Sequence, residues 1–590
     1  MSDLVCKAKE PRLAWLADVR GLACLREPEH SNKETQASWE QALNGFQTRS
    51  SNLARKKVLL VGMDGAPYDL VKQWTDQGEL PNLKELIRAG AFGVLYSQLD
   101  ETPPAWSSIY TGKNPGKHGV FDFQFRKPGT HEFAPINATL RDSKDIWELL
   151  GEKGLRVGVL NAPIAYPPRE VNGVLVAGFL APGEKVRYTF PDGLQEELKV
   201  AVPGFRHSST DEIQLNFQKK KYVQAIYDKV ENLGKAARYL ISRDSFDFFS
   251  LIISETDHVQ HWFWDKMERG PGTKYGDVIL NTYRIADRVL GEIIEEYSKD
   301  AYVLVISDHG GTLLRRLFHT NYFLHSIGML DFKRSLPVRA KRGLYSLGVT
   351  QGLFGLIART KIFPLRYLLR PFSLSLKDVD WKTTKAYSFG YGQVYLNKSV
   401  AEGQTGGDSP GGTGYEDLRS SVIEALLGAV DPATGTKPIV SASRREAIFS
   451  GPHTKDAADI QLALAEGYEA FPWASISDRA FSPNTSRSGG HNTRGIVLMK
   501  GEGVKQGPIT GAAVTDIAPT ILYLMGIAVP PEMDGHVLTQ AFAEEHLRSN
   551  PLEVGAEDVE PSSKDENKQY SLSDEEEELI KKNLRSLGYI

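Results

Sequence analysis

Short and nearly uninterrupted apolar runs recur along the chain, and segments with helical spacing of apolar residues separate them. Such runs are typical of strands that are buried on both faces of a parallel sheet. They predict strands at 57–63, 157–160, 248–254, 302–307 and 495–500. The helical spacing predicts helices at 80–89, 145–152, 282–297 and 415–427. The alternation of the two patterns predicts an α/β fold with a mostly parallel sheet.

Side chains that commonly bind metal ions stand where these strands are predicted to end. Asp64 comes directly after the first strand and is followed by a glycine, while Asp308 and His309 follow the strand at 302–307. In open sheets of this kind, ligands bind beyond the carboxyl ends of the strands. We therefore expect these three side chains to meet at the same end of the sheet.

Three further candidates lie in two other motifs. Asp257 and His261 are four residues apart in ETDHVQH, so a helix there places both on one face. His491 lies in SGGHNTRG, which predicts a glycine-rich turn ahead of the strand at 495–500. Each motif alone is more often structural, but three Asp and three His together suit two divalent ions, zinc or manganese. Two such ions are a recurrent device for attack on phosphorus.

A nucleophile for such an attack is expected at a helix N-terminus, where backbone dipoles favour a phosphate group. The segment 101–119, ETPPAWSSIYTGKNPGKHG, offers Thr102, Ser107, Ser108 and Thr111. Thr102 is predicted to be the N-cap residue because two prolines follow it at the first turn. A plain N-cap role is the competing interpretation of this threonine.

Composition limits the class of protein. The chain of 590 residues has 41% hydrophobic residues, a mean hydropathy of −0.32 and a net charge of −4, which predicts a globular protein without a nucleic-acid footprint. The charged N-terminal sequence has no apolar core of a secretory signal, and no stretch reaches about 18 apolar residues. With only two cysteines, Cys6 and Cys24, no disulfide framework is expected. The predicted location is the cytoplasm.

The pattern also predicts how the chain is divided. The predicted parts are an N-terminal extension (1–55), the first part of a catalytic core (56–330), a basic apolar helical insertion (331–379), the second part of the core (380–545) with a cap segment at about 398–470, and an acidic, flexible tail (546–590) whose end docks back onto the body. Residues 332–377 contain ten Lys or Arg and no Asp or Glu. This composition leaves open a weak contact with an anionic membrane surface, in a protein that keeps the fold for binding rather than catalysis.

The motifs VGMDG, TPPAWSSIYTGKNPGKHG, ETDHVQH, SDHG and GGHNTRG, in this order, resemble those of the alkaline phosphatase superfamily. They are most similar to the type I phosphodiesterase/nucleotide pyrophosphatase branch, over roughly 56–330 and 380–540. The resemblance implies a three-layer αβα sandwich with inserted cap elements. It also implies a hydrolase that acts on a small phosphate ester or a nucleotide-like substrate.

The resemblance assigns the candidate residues to two ions, most simply zinc with manganese as the alternative. One ion would be held by Asp257, His261 and His491, and the other by Asp64, Asp308, His309 and Thr102. Thr102 stands nine residues before the threonine of the TG pair, as the nucleophile of the family does. The implied mechanism is in-line attack by Thr102, a phospho-threonyl intermediate and its hydrolysis.

One position departs from the family pattern and leaves the substrate open. The nucleotide pyrophosphatases have an asparagine three residues after the nucleophile, whereas this chain has Ala105. Asn161, in VLNAP at another strand end, is a candidate substrate contact, with a turn residue as its alternative. A phosphomonoesterase and a relative of the cofactor-independent phosphoglycerate mutase stay open as alternatives. A sulfatase is disfavoured because TPPAW lacks the required C/S-x-P-x-R motif.

Overall fold

The computed structural model describes residues 16–18, 21–23, 56–207, 219–346, 374–403, 413–471, 477–484, 487–555, 571–587 and 589. The chain forms two compact units, Met1–Arg55 and Lys56–Ile590. In the first unit, Leu16–Asp18 and Gly21–Ala23 pair as an antiparallel ribbon. The second unit contains the large sheet and every candidate residue.

The large sheet has nine strands within the described residues. They are β1 (Val58–Met63), β2 (Ala91–Tyr96), β3 (Val157–Ala162), β4 (Gly173–Ala177), β5 (Thr189–Phe190), β6 (Phe248–Ile253), β7 (Tyr302–Ile306), β8 (Arg494–Lys500) and β9 (Gly507–Ala513). Their spatial order is β9-β2-β8-β7-β1-β6-β3-β4-β5. Strand β8 runs antiparallel to both neighbours, β5 runs antiparallel to β4, and the remaining pairs are parallel. The sheet is therefore mostly parallel, as predicted.

The second unit contains both helices that pack on this sheet and helices that pack on the smaller sheets described below. They are α1 (Tyr68–Gln77), α2 (Pro81–Ala89), α3 (Thr102–Thr111), α4 (Pro115–His118), α5 (Ile146–Glu152), α6 (Leu194–Ala201), α7 (Lys219–Arg243), α8 (Glu255–Met267), α9 (Val278–Tyr297), α10 (Thr320–Ser326), α11 (Leu336–Ser346), α12 (Lys398–Gly403), α13 (Thr413–Leu427), α14 (Arg445–Ile448), α15 (Ile517–Leu524), α16 (Glu544–Ser549) and α17 (Asp574–Leu587). Helix α9 packs on α2, α7 and α8, whereas α3 packs on α15. Short 3-10 turns occur at Ala138–Leu140, Leu376–Asp378, Thr454–Asp456, Val514–Asp516 and Thr539–Ala541. The predicted three-layer α/β fold is confirmed.

The five strands and four helices that the apolar pattern predicted are all present, with bounds that differ by a few residues. Strands β1 and β6 are buried along their whole length. Continuous apolar runs fit this position because both faces of a central parallel strand are covered. The central sheet and its helices share one large hydrophobic core. A second hydrophobic core lies among the smaller strands and helices between residues 318 and 481.

Smaller sheets lie in the second half of the chain. An antiparallel ribbon joins Gly310–Leu313 to Gly489–Asn492. Three strands, Arg316–Phe318, Tyr468–Ala470 and Phe481–Pro483, form a second small sheet. A four-stranded antiparallel sheet contains Ala386–Ser388, Gln393–Leu396, Ile439–Arg444 and Ile460–Leu464. A further hairpin pairs Gln124–Arg126 with Phe133–Pro135. The domain boundaries given above stay predictions.

The acidic tail contains a helix. Residues 574–580 belong to helix α17, and the turn before it is capped reciprocally by Ser573 and Glu576. Four acidic residues in its first turn are favourable because they lie at the positive end of the helix dipole. This part of the tail is therefore helical and its Leu584 is completely buried, while the predicted flexible tail with a docking end stays a prediction.

The basic insertion is described only at its two ends. Leu336–Ser346 forms helix α11, and the segment resumes at 374. Most of the predicted helical insertion, 347–373, lies outside the described residues, and so does the glycine-rich loop at 404–412. In the part of the chain that is described, none of the helices has the length and apolar character needed to cross a membrane. The predicted contact with an anionic membrane surface stays a prediction.

Candidate functional site

The carboxyl ends of three adjacent strands bring the candidate aspartates together. Strands β7, β1 and β6 are parallel neighbours, and each is followed within a few residues by Asp308, Asp64 or Asp257. The backbone N–H of Asp64 donates to the carbonyl of Ile253 at 3.1 Å, which ties the ends of β1 and β6 together. All three carboxylates are almost completely buried.

The first group of side chains consists of Asp64, Asp308 and His309. The Nε2 atom of His309 lies 3.6 Å from Oδ1 of Asp64 and 3.3 Å from Oδ2 of Asp308. The Nδ1 atom of His309 lies 3.1 Å from the carbonyl oxygen of Gly310. Since a carbonyl only accepts, Nδ1 carries the proton and the lone pair of Nε2 points to the two carboxylates.

The second group consists of Asp257, His261 and His491. Helix α8 places Asp257 and His261 on one face, and Oδ2 of Asp257 lies 2.8 Å from Nε2 of His261. His491 Nε2 lies 3.3 Å from His261 Nε2 and 3.5 Å from Oδ1 of Asp257. The rings of His491 and His309 are 4.1 Å apart, so the two groups adjoin each other.

His491 reaches the site from a strand rather than from the predicted turn. It lies in Gly489–Asn492 and faces Gly311 across the antiparallel ribbon. A side chain at Gly489 would collide with the backbone of Gln260, and a side chain at Gly311 with the side chain of that glutamine. The glycines of SGGHN therefore permit the ribbon to pack closely on helix α8. The prediction of a glycine-rich turn was wrong because these glycines serve a closely packed strand instead.

Two sets of ligand atoms are close enough to hold a metal ion: the first group, and a second set in which His309 rather than His261 joins Asp257 and His491. Among the described residues, ligand atoms of Asp64, Asp308 and His309 lie within 4.8 Å of one another, and those of Asp257, His309 and His491 do so as well. Within the same described ranges, Oδ1 of Asp64 and Oδ2 of Asp308 are buried without a hydrogen-bond partner. Leaving such atoms unpaired costs about 1–3 kcal/mol each, and more when they are charged. A bound cation would satisfy them.

Burial and mutual repulsion set the charge states of these carboxyls. Burial raises the pKa of Asp64 well above its usual range, and the charges of Asp308 and Asp257 raise it further. Burial also raises the pKa of Asp308 to about 6, although His309 opposes this shift. Burial acts on Asp257 in the same direction, but the adjacent imidazoles, that of His261 first, hold its pKa well below the usual range. A cluster of this kind favours a cation among the carboxylates.

The candidate nucleophile Thr102 is the first residue of helix α3. Its Oγ1 lies 3.2 Å from Nε2 of His309, and its side chain is fully buried. The predicted N-cap position was wrong by one residue, because Glu101 has the extended backbone of the cap. The hydroxyl therefore points to His309 in the first group of candidate ligands. Trp106, one turn later, donates from Nε1 to Oδ2 of Asp64 at 3.0 Å and fixes α3 against the site.

The hydroxyls of Ser108 and Thr111 in this helix form hydrogen bonds to groups outside the cluster of candidate ligands. Ser108 hydrogen-bonds to His118 at 3.0 Å, and Thr111 donates to the carbonyl of Ser107 at 2.8 Å. Asn161 is fully buried, and its amide donates to the carbonyl of Ile252 at 2.8 Å. Its backbone has a φ of 62°, a conformation that asparagine tolerates better than most residues. The role of Asn161 as a substrate contact stays a prediction.

Two residues that the sequence analysis did not select contact the second group. The guanidinium of Arg487 lies 2.9 Å from Nδ1 of His261 and also pairs with Glu469. The guanidinium therefore contacts the ring nitrogen of His261 that does not face Asp257. Tyr589 donates from its hydroxyl to Oδ2 of Asp257. Arg487 stands four residues before His491, but no sequence signal links the distant Tyr589 to Asp257.

A further buried carboxyl near the nucleophile gives a prediction about pH. Burial raises the pKa of Asp122 from 3.8 to about 7. Between these two pH values the folded protein keeps a proton that the unfolded chain has released, so the free energy of unfolding falls as the pH rises through this window. We expect Asp122→Asn to flatten that fall between about pH 4 and pH 7, as measured by urea unfolding.

A matched substitution gives the control for this prediction. Asp431 is buried like Asp122, and burial acts to raise its pKa, yet the pKa is lowered because the hydrogen bonds from Arg316, Ala433 and Tyr468 act together with the charge of Arg316. Asp431→Asn should therefore lower the free energy of unfolding above about pH 4, while that free energy still falls as the pH rises from about 4 to 7. Parallel unfolding profiles of Asp122→Asn and the wild type across this window would contradict the prediction.

Comparisons with known proteins give one family profile and several solved structures with some similarity to this chain. The sequence profile of the type I phosphodiesterase/nucleotide pyrophosphatase family matches residues 58–356, about half of the chain. Among solved structures, phosphonoacetate hydrolase from Sinorhizobium meliloti is 15% identical with a TM-score of 0.48, covering 80% of this chain and 95% of its own. Human ectonucleotide pyrophosphatase/phosphodiesterase 5 is 13% identical with a TM-score of 0.45, covering 83% and 100%. The alkaline phosphatase PafA is 15% identical with a TM-score of 0.49, covering 83% and 100%. A search of curated proteins finds no match.

Proposed function

Since the chain belongs to the type I phosphodiesterase/nucleotide pyrophosphatase family, it is a phosphoric ester hydrolase, and we propose that it cleaves phosphodiester or pyrophosphate bonds with Thr102 as the nucleophile. The observation that carries the proposal is the 3.2 Å approach of the Thr102 hydroxyl to Nε2 of His309, beside the buried aspartates. The dipole of α3 also favours an anion at this helix N-terminus, although Pro103 and Pro104 contribute no backbone N–H.

The two groups of ligands have separate tasks in this proposal. The attacking oxygen lies against His309 of the first group, which also contains Asp64 and Asp308, and Asp257, His261 and His491 form the adjoining second group. Two divalent ions held there would stabilise the attacking and leaving oxygens and favour the ionised hydroxyl. The donor set of carboxylates and imidazoles suits zinc first and manganese second.

The reaction proceeds in two balanced steps on the chain's own residues. Oγ1 of Thr102 forms a bond to phosphorus as the bond from phosphorus to the leaving oxygen breaks, and the alcohol or phosphate departs. The proton of the Thr102 hydroxyl leaves with the departing group. Water then attacks phosphorus, the bond from phosphorus to Oγ1 breaks, the phosphoryl group departs as a phosphate or its monoester, and a proton of the water restores the hydroxyl. Ala105 offers no side-chain donor to the phosphoryl oxygen at the position where related enzymes have asparagine. The substrate is a small phosphate ester or a nucleotide-like molecule, and the cytoplasmic location stays a prediction.

A comparison of two chromogenic esters tests the proposed function. We expect the ion-loaded protein to prefer bis-p-nitrophenyl phosphate to p-nitrophenyl phosphate by at least about tenfold in kcat/KM, or about 1.4 kcal/mol in transition-state stabilisation. The expectation rests on the phosphodiesterase family whose profile matches the chain. Both rates are measured after chelation and reloading with zinc or manganese. Preference for the monoester would favour a phosphatase or mutase, and no turnover of either ester would contradict the hydrolase.

A further inference from the structure

The C-terminal helix is a firmly packed part of the second unit. Ile580, Leu584 and Leu587 of α17 are at most 1% exposed and belong to the main hydrophobic core. The hydroxyl of Tyr166 donates to a carboxylate oxygen of Glu576 at 2.5 Å and fastens the first turn of the helix. Burying three large apolar side chains contributes about 1.5–3 kcal/mol each, so the helix is a fixed element rather than a lid.

Tyr589 follows this helix and is held on several sides. Its backbone N–H donates to the carbonyl of Leu584 at 2.9 Å, and its carbonyl accepts from the hydroxyl of Tyr391 at 2.7 Å. Its ring centroid lies 4.6 Å from that of Phe123 and 5.2 Å from that of Phe179. With 1% exposure, the side chain has a single defined position.

That position is against the second group of ligands. The Tyr589 hydroxyl donates to Oδ2 of Asp257, and its ring centroid lies 4.8 Å from that of His261 and 6.1 Å from that of His491. The other carboxylate oxygen of Asp257, Oδ1, lies 3.5 Å from Nε2 of His491. One carboxylate oxygen of Asp257 therefore faces a histidine ligand, and the other accepts a hydrogen bond from the phenol of Tyr589.

We propose that Tyr589 is a positioning residue for Asp257, which fixes the carboxylate so that Oδ1 is presented to the ion of the second group. This inference rests on the metal centre of the proposed function. In the structure, Oδ2 has two donors among the described residues, His261 at 2.8 Å and Tyr589. A nitrogen that ligates an ion carries no proton. Once Nε2 of His261 is a ligand, Tyr589 is the donor left on Oδ2 among these residues.

The test is the affinity for zinc of Tyr589→Phe, measured by competition with a chromophoric chelator and independent of turnover. Loss of a hydrogen bond to a ligating carboxylate lowers metal affinity by about 10–100-fold. We expect one of two zinc ions to bind about tenfold more weakly, with the other ion unaffected. Phenylalanine preserves the ring and its packing, so urea unfolding of the ion-free protein should have the same midpoint as the wild type.

Two further variants sharpen the result. Tyr166→Phe removes the same kind of phenol–carboxylate bond from the same helix, but without contact with a ligand, and it should keep wild-type affinity. In an Asp257→Asn background, Tyr589→Phe should cause no further loss, because the bond acts through that carboxylate. Equal zinc affinity of Tyr589→Phe and the wild type would overturn the inference. Equal losses of zinc affinity in Tyr166→Phe and Tyr589→Phe would also overturn the inference, because they would indicate a general effect of the helix.

The outcome separates this inference from the proposed function. A wild-type protein that binds two zinc ions but cleaves no ester would contradict the hydrolase, while a weaker site in Tyr589→Phe would still support the positioning role. Unchanged affinity in the variant, together with rapid diester turnover by the wild type, would support the hydrolase and reject the role of Tyr589.

Discussion

Replacement of Thr102 by alanine is expected to lower kcat for diester hydrolysis by at least about 10³-fold, since loss of a nucleophile removes the covalent route entirely. The hydroxyl lies 3.2 Å from His309 Nε2 and is fully buried. Steady-state turnover of bis-p-nitrophenyl phosphate by the zinc-loaded variant measures the effect. Thr102→Ser should retain much more activity because it keeps an oxygen at this position.

A second threonine of the same helix provides the matched control. The hydroxyl of Thr111 donates to the carbonyl of Ser107 and is equally buried, but it bonds within its own helix. Thr111→Ala should therefore lower stability while kcat stays within about twofold of the wild type. Similar rates in Thr102→Ala and Thr111→Ala would show that Thr102 is not the nucleophile.

Asp308→Asn is expected to change activity and stability in opposite directions. It removes a ligand charge, so diester turnover should fall by at least about 100-fold. It also removes a buried carboxylate whose Oδ2 lacks a hydrogen-bond partner among the described residues. The ion-free variant should therefore unfold at a higher urea concentration than the ion-free wild type at pH 8, because an uncompensated buried charge is costly. Activity and urea unfolding are measured on the same preparations.

Asp287→Asn is the control for the sign of this effect. Asp287 is as deeply buried, but its carboxylate accepts hydrogen bonds from the backbone of Asn82 and Leu83 at 3.1 and 2.8 Å. Substitution there should lower stability and leave the activity of the loaded protein unchanged. A loss of stability in ion-free Asp308→Asn as large as that in Asp287→Asn would mean that the candidate ligands are ordinary structural carboxylates.

The central sheet was predictable from the sequence because its strands are buried on both faces. Strands β1, β6 and β7 are continuous apolar runs, and the aspartates that follow them stand at carboxyl ends in a parallel sheet. Local sequence therefore determined which of these side chains converge. The four-residue spacing of Asp257 and His261 was sufficient for the same reason, since a helix fixes its own geometry.

Features that depend on tertiary packing were not predictable in this way. The strand that contains His491 is only four residues long, and its pairing with 310–313 is set by close packing of glycines on α8. Tyr589 is 332 positions from Asp257 in sequence, and docking of α17 alone brings the two together. The helix α17 was not predicted because its first turn contains four acidic residues. An acidic composition usually indicates a flexible segment, but acidic residues are also favourable at the N-terminus of a helix.

Trapping of the covalent intermediate tests the central claim most directly. Zinc-loaded wild-type protein is mixed with bis-p-nitrophenyl phosphate, quenched in acid within the first turnover, digested and analysed by tandem mass spectrometry. We predict a phosphoryl ester on Thr102 that is formed with the first release of nitrophenolate and is absent from Thr102→Ala. Release of nitrophenolate without any adduct on Thr102, at a rate that Thr102→Ala matches, would contradict the assignment of this residue as the nucleophile.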